Sequence, residues 1–511
     1  MYKFVCFIQC FISLSFFCYA EAINPNVVEP QSFVLFGATG DLTQRKLIPA
    51  LFNLEKEGRL PENFAFVGVA RRDKSQEEFR QDIFIALLNS SLLNSEECEI
   101  WKCFLTKCFY CQLDFTQDCD YLKLQKFMEQ IDDQCGTSGN RLYYLATQPS
   151  FFSTIIESLS RHQLIEKSCL EKSPWKKVLI EKPFGHDLSS SIELRDKISH
   201  HLSDNEIYCI DHYLGKEVVQ NILPLRFANS LFESIWNAQF IDHVEIVISE
   251  DIGIESRGHC WEETGMLRDI VQNHLLQLLA LVAMEPPQSF DSKVISDQKT
   301  RLLNSIRPLL EDAIDSRVVR GQYGPGIIDG KKIMGYREEN DVSPNSNVET
   351  YVAAKLYIDN ARWQDVPFYL SAGKRLTKRF AHIIVTFKEN TDLALDLGGQ
   401  HWPNRLVIRI QADPEIYLEF CAKEQGFDGE IKTFKLQFHY ETVFGHQPME
   451  AYERLLYHAM RGDGKHFVGF NEILASWLFV NPILKYWKMH PPLDFPNYIP
   501  GSSGPEAAKG L

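Results

Sequence analysis

A strand that runs straight into a glycine turn near the start of the chain limits the possible folds more than any other feature. Phe33-Val-Leu-Phe36 is a short continuous apolar run, as in a strand buried on both faces. It leads directly into Gly37-Ala38-Thr39-Gly40-Asp41-Leu42. Leu47, Leu51 and Leu54, with Ile48 between them, then follow helical spacing, and Pro49 predicts either a kink or a short first turn followed by a new helix start. Strand, glycine turn and helix in this order open a dinucleotide-binding unit. The glycines let the backbone approach a pyrophosphate, whose charge is met at the helix N-terminus. The spacing is G-x-x-G rather than G-x-G-x-x-G, so the turn alone is a weak signal. A second strand, Ala65 to Ala70, ends in Arg71-Arg72, where an NAD enzyme would place an acid on the ribose hydroxyls. A planar guanidinium there suits a 2′-phosphate, which favours NADP; the plainer reading of Arg71 is a solvated strand end.

The same grammar continues. An amphipathic stretch (Ser75 to Leu93), a strand (Phe109 to Phe115), a helix around Tyr121 to Ile131, a strand (Arg141 to Ala146), a helix (Phe151 to His162) and a strand from Lys177 to Lys182 follow in turn. This alternation predicts a doubly wound parallel sheet over residues 32–205, an α/β unit with Lys182 at its C-terminal strand edge, where ligands sit. Beyond 205 the pattern changes. A helix is expected from Lys216 towards Asn229, bent or divided by Pro224. Alternating segments at His243–Ser249, Val348–Ile358, His382–Phe387, Arg405–Gln411, Glu415–Phe420 and Thr433–Tyr440 predict a mainly antiparallel sheet in a larger α+β unit over 206–499. Helices are expected at Leu267–Val282, Glu450–Met460 and Asn471–Phe479, and a loose tail over 500–511.

The chain has 511 residues, enough for two or three domains, and a net charge of −15. That charge repels nucleic acid and anionic membranes, and the basic clusters, such as Arg375 to Arg379, are short. Residues 1–22 carry Lys3, an apolar run from Phe4 to Tyr19 and Ala20-Glu21-Ala22, the shape of a secretory signal peptide or of an over-extended start. Six of thirteen cysteines fall between Cys98 and Cys135, but no second pair stands at finger spacing, so buried free thiols are expected and no metal site.

Ile210-Asp-His-Tyr-Leu-Gly-Lys-Glu217 packs a carboxylate, an imidazole, a phenol and an ammonium into eight residues. Read as strand, it would point Asp211 and Tyr213 one way and His212 the other. A helix starting near Gly215 would add backbone N–H groups, making a seat for phosphate; the alternative is a polar loop entering a helix.

Four motifs stand together: F-G-A-T-G-D-L-T-Q-R-K (36–46), I-E-K-P-F-G (180–185), I-D-H-Y-L-G-K-E-V-V-Q-N (210–221) and R-D-I-V-Q-N-H (268–274). Their order and spacing resemble the glucose-6-phosphate dehydrogenase family over about Ser32 to Pro500, and the third motif is specific to it. The resemblance implies a Rossmann-like NADP-binding domain joined to a larger β+α domain. It also implies NADP-dependent oxidation of glucose 6-phosphate at C1, the first step of the oxidative pentose phosphate pathway, by a homodimer or homotetramer in the cytoplasm. Export is the alternative if the leader is real.

Residue by residue, the resemblance makes His274 the general base and Asp211 its orienting carboxylate. An imidazole suits that task, with an unperturbed pKa of about 6.5. Read without the resemblance, His274 among leucines is a buried structural histidine. Gly37, Ala38, Thr39, Gly40, Asp41, Leu42, Arg71 and Tyr144 match coenzyme contacts, and Lys182 matches a lysine that touches both substrate and nicotinamide. His212, Tyr213 and Lys216 match the phosphate site, Glu250 and Asp269 match acids that accept sugar hydroxyls, and Lys374 and Arg379 match substrate-side cations. Ser371 and Gly469 stand where relatives with a second, structural NADP carry arginine, so no second nucleotide is expected. Two other readings are a catalytically silent sugar-phosphate or nucleotide sensor on the same fold, and an exported hexose-phosphate oxidoreductase of broader range.

Overall fold

The computed structural model describes residues 28–90, 92, 98–167, 174–389, 403–426, 431–439, 442, 445 and 449–511. The leader over 1–22 lies outside the described residues. Six strands form one fully parallel sheet: β1 (Gln31–Phe36), β2 (Phe64–Ala70), β3 (Cys108–Gln112), β4 (Arg141–Leu145), β5 (Lys176–Ile180) and β6 (Ile207–Cys209), in the order β3-β2-β1-β4-β5-β6. The apolar runs that predicted these strands are buried along their whole length in β1, β2 and β4, since helices cover both faces. The order reverses between β1 and β4, so a crevice opens beyond their C-terminal ends. The expected boundary at 205 falls short. β6 pairs with β5 (Val178 with Ile207, Ile180 with Cys209), so the parallel sheet takes in Ile207–Cys209.

The larger sheet has eight strands, β7 (Ile241–Ser249), β8 (Val318–Gly321) and β11 (Tyr351–Leu356) to β16, in the order β16-β15-β14-β13-β7-β12-β11-β8; β9 (Gly326–Ile328) and β10 (Lys331–Ile333) form a separate hairpin. The remaining strands are β12 (Phe368–Gly373), β13 (Phe380–Phe387), β14 (Arg405–Gln411), β15 (Glu415–Lys423) and β16 (Ile431–His439). Neighbours are antiparallel except β12 and β7, which run parallel.

Three expected elements differ. The helix from Lys216 divides at Asn221, into Glu217–Gln220 and Ile222–Phe227, rather than at Pro224. A proline removes the hydrogen bond to the residue four positions before it, here Gln220, so the break falls one turn upstream. The last long helix starts one residue earlier than expected and runs through Pro482 to Met489. The tail is not loose. Gly501 N–H donates to Arg375 O at 2.7 Å, Ser502 bridges Leu376, and Glu506–Gly510 forms a short 3-10 turn. Cys108 and Cys111 are buried free thiols, whereas Cys103 and Cys119 are free but exposed.

Candidate active site

The glycine turn is built by close approach. Gly37 has φ +89°, and a Cβ there would lie 2.3 Å from Ala146 O, so only glycine fits. Its N–H and that of Ala38 both donate to Val69 O, and Gly40 N–H and Thr43 Oγ1 both donate to Gly37 O. Thr43–Leu47 then forms a wide π-helical turn before the α-helix restarts at Ile48 with Pro49 in its first turn. The N–H groups of Gly37, Ala38 and Gly40 are used in building the turn, so the pyrophosphate of a dinucleotide would be met by the backbone at the start of the helical segment that follows. Asp41 pairs on the surface with Arg45. Arg71 follows the end of β2 with its side chain exposed, two residues beyond the Val69 carbonyl that holds the turn, so its guanidinium is free to meet a 2′-phosphate.

β6 delivers the second part. After Ile210 the chain does not continue as strand but turns, with Leu214, Gly215 and Lys216 N–H donating to the carbonyls of Asp211, His212 and Tyr213. The turn replaces the expected alternation, so all three side chains from 211 to 213 face His274. Asp211 is 2% exposed, and its Oδ1 accepts from Tyr213 N–H at 2.9 Å and from His274 Nδ1–H at 2.6 Å. His274 is fully buried in Leu267–Leu275, a π-helical segment of the kind that often marks functional sites. Lys182, on the far side, lies with Nζ 3.0 Å from His274 Nε2, 3.0 Å from Asp269 O and 3.0 Å from Asp269 Oδ1.

These partners decide the tautomer. Ionised Asp211 can only accept, so Nδ1 carries the proton; an ammonium can only donate, so Nε2 presents its lone pair. Burial depresses the His274 pKa, and Lys182 adds to this against the pull of Asp211. Burial alone would raise the Asp211 pKa, but its coupling to His274, with the hydrogen bonds from His274 Nδ1–H and Tyr213 N–H, lowers it to about 2. Asp269 likewise falls well below the carboxylate range despite burial, through Lys182 and Arg257. The result is a neutral imidazole steadied by a permanent anion.

Around this pair stand the remaining residues. The His212 and Tyr213 rings lie 4.5 and 4.6 Å from the His274 ring, and Tyr213 Oη donates to Gln411 Oε1 at 3.3 Å. Lys216 Nζ sits 4.9 Å over the Tyr213 ring. Burial, then Arg379, lowers its pKa to about 8, which places Lys216 and Arg379 in one electrostatic neighbourhood. Burial, then His274 and Lys182, holds His212 well below its ordinary value. It is therefore a neutral donor until an anion arrives, rather than a standing cation. Glu250, at the end of β7, accepts from Lys374, whose Nζ also lies 4.8 Å over the Trp261 ring.

A site with a neutral, carboxylate-held imidazole, a lysine on its lone pair and a cluster of cations beside it can take a proton from a hydroxyl and hold a phosphate. Comparison with known proteins points the same way. The model of the glucose-6-phosphate dehydrogenase NAD binding domain matches residues 34–221, and that of the C-terminal domain matches residues 223–511. The chain belongs to the glucose-6-phosphate dehydrogenase family. It is 48% identical over 489 residues to glucose-6-phosphate 1-dehydrogenase of Chlamydia muridarum, covering 94% of this chain and 95% of the relative. With the Bacillus subtilis enzyme of the same name it shares 39% over 480 residues, covering 94% and 96%. A solved glucose-6-phosphate dehydrogenase in complex with its substrate glucose 6-phosphate superposes with TM-score 0.85 at 34% identity, covering 94% of this chain and 96% of the other.

Tyr144 of this family member is completely buried in β4, and its hydroxyl donates to Glu181 Oε1 at 2.6 Å, so a coenzyme would meet it through the backbone rather than the hydroxyl. It lies beneath the turn and helps to hold Glu181, which is next in sequence to Lys182. Several residues that shape the site went unread in the sequence. Glu181 sat inside a quoted motif but reads as a solvated strand end. Arg257 reaches Asp269 from a 3-10 turn, Trp261 reaches Lys374 from the helix that follows, and Gln411 reaches Tyr213 from β14. Only tertiary packing brings them in, and no local pattern marks them.

Proposed function

We propose that this chain oxidises D-glucose 6-phosphate at C1 to 6-phospho-D-glucono-1,5-lactone with NADP, the first step of the oxidative pentose phosphate pathway. The observation that carries the proposal is the 2.6 Å contact between Asp211 and His274 with Nε2 left as acceptor at the edge of the parallel sheet. His274 Nε2 takes the C1 hydroxyl proton, and Asp211 stabilises the imidazolium that forms. Lys182 Nζ, which occupies that lone pair in the ligand-free site, passes its hydrogen bond to the substrate when the hydroxyl takes its place. Asp269 and Glu250 accept sugar hydroxyls. His212, Tyr213, Lys216 and Arg379 receive the phosphate, with His212 drawn towards protonation by the dianion, and Lys374 holds Glu250 in position. The coenzyme rests on Gly37 to Leu42, with Arg71 on its 2′-phosphate and Lys182 beside the nicotinamide; when bound, it accepts the hydride that leaves C1.

The test is the absorbance of reduced nicotinamide with glucose 6-phosphate and either NADP or NAD. NADP should give the higher turnover. His274→Asn should lower kcat by about 10²–10⁴-fold with KM little changed. Full activity in that variant would remove the base assignment. No feature of the site favours the silent sensor.

Edge strand β16 leaves Phe434 41% and Leu436 67% exposed, which supports association of the larger sheets in a homodimer or homotetramer. Among the described residues no helix is long and apolar enough to cross a membrane. A cytoplasmic location is our reading, and N-terminal sequencing of the mature protein distinguishes it from export.

A further inference from the structure

A second group of ligand-type side chains lies outside the active site. The helix Ala451–Met460 ends in a glycine-terminated turn: Gly462, at φ +74°, donates its N–H to Ala459 O, and Asp463 N–H donates to His458 O at 2.9 Å. That double bond pattern folds the chain back on the last helical turn, so a residue five positions after His458 is carried over it. The Asp463 carboxylate is thereby split in role. Oδ1 accepts from Lys465 N–H at 3.2 Å, and Oδ2 faces His458 Nδ1 at 3.4 Å. Residues 464–466 form one further short turn, which swings His466 in until its ring is 4.3 Å from that of His458.

We propose that His458, Asp463 and His466 form a binding site for a divalent transition metal of the zinc class, with its remaining position open to water. Their donor atoms all lie within 4.8 Å of one another. Metal–ligand bonds of about 2.0–2.2 Å set neighbouring donors about 3.3 Å apart in a tetrahedron, so His458 Nδ1 and Asp463 Oδ2 already stand at the right separation. A modest ring rotation closes the rest.

Two further observations point to an ion. His458 Nδ1 has almost no solvent exposure, and Asp463 Oδ2 at 3.4 Å does not make a well-formed hydrogen bond with it, so a metal bond would satisfy this nitrogen. The Lys465 ammonium lies 3.5 Å from Asp463 Oδ2 on a side chain that is 38% exposed, so a cation already rests on that oxygen and is free to swing away. Two imidazoles and one carboxylate are a borderline set that suits zinc better than calcium or magnesium.

The site would act as a clamp. Phe467 stacks on Tyr208 at 4.6 Å, and Val468 N–H donates to Cys209 O at 3.0 Å, so the metal-bearing loop is pinned to β6, which leads to Asp211.

The test uses the full chain without a histidine tag, stripped with chelator and titrated with Zn²⁺ and with Co²⁺. Asp211, His212 and His274 also lie within 4.8 Å, so binding is measured in a His274→Asn background. One metal ion per chain should bind there, with the visible bands of four-coordinate Co²⁺ and a raised thermal midpoint. Adding His466→Leu, or separately His458→Gln, should weaken binding tenfold or more and abolish both signals. His466→Leu alone should keep glucose 6-phosphate turnover in the absence of metal, which shows that it folds. No metal in the His274→Asn protein, or undiminished affinity after either second substitution, overturns the proposal.

Discussion

His274 and Lys216 are both shifted downwards, and the two shifts act on opposite sides of neutrality. As the proposed base, His274 works only as neutral imidazole. Its pKa is depressed below the ordinary 6.5 by burial and by Lys182, so protonation removes activity only at a pH below that value. In the proposed phosphate site Lys216 works only as a cation, and its pKa is lowered to about 8, so the free enzyme would lose that charge as pH rises through about 8. Because kcat/KM reports groups of the free enzyme, its pH profile should be a bell with an acid limb below 6.5 and an alkaline limb near 8. Lys216→Met should raise KM for glucose 6-phosphate, leave kcat at saturation largely intact, and erase the alkaline limb. An alkaline limb that survives would assign it to another group. Which residues gather around His274 was readable from the motifs; their charge states were not. His212, an imidazole matched to the phosphate site in sequence, becomes a neutral donor once it is buried with His274 and Lys182 beside it.

At the scale of elements, the position of His274 depends on how its π-helical segment begins. Gly265 stands at φ +67°, ψ 177°, a region open essentially to glycine alone, and a Cβ there would lie 2.6 Å from Glu349 Oε1. That same oxygen accepts Leu267 N–H at 2.9 Å and so fixes the start of the segment. Gly265→Ala should therefore cost about 1–3 kcal/mol in chemical unfolding and shift Asp269 and His274 together. Turnover should fall more than substrate affinity, and unchanged kinetics would show that the segment keeps its place without this anchor. The sequence announced a helix here, because Leu267, Val271 and the later leucines keep an apolar face, but nothing in that spacing marks the widened turn. Strand β12 was hidden for a related reason. In Phe368-Tyr-Leu-Ser-Ala-Gly373 the alternation is diluted by small residues, and its burial comes from lying between β7 and β11. By contrast, strands β1, β2 and β4 were plain, since burial on both faces writes an unbroken apolar run.

At the scale of the whole molecule, residues far apart in sequence close each unit. Leu455, Leu456, Ala459 and Met460 belong to the core of the N-terminal sheet, and Gln31 Nε2 donates to Met460 O at 3.0 Å. The C-terminal residues do the same for the substrate loop. Lys374 and Arg379 bracket a segment whose middle is held from outside: Gly501 N–H donates to Arg375 O, Ser502 bridges Leu376, and Thr377 Oγ1 donates to Ser502 O at 3.3 Å. Polar composition suggested looseness at 500–511, but Pro505 packs against Gly321, and Leu511 O accepts from Lys355 Nζ at 3.2 Å. Removing residues 501–511 should leave Asp211, His274 and Lys182 untouched, because among the described residues none of them bonds to this stretch, while freeing the loop that carries Lys374 and Arg379, the proposed substrate-side cations. With about 0.5–1.5 kcal/mol for each lost hydrogen bond, KM for glucose 6-phosphate should rise by roughly tenfold, with kcat at saturation within about twofold. Steady-state kinetics of the truncated chain decide the matter. An unchanged KM would mean that Tyr498, whose hydroxyl donates to Lys374 O at 2.8 Å, holds the loop alone. A collapse of kcat would mean that the buttress reaches the base itself.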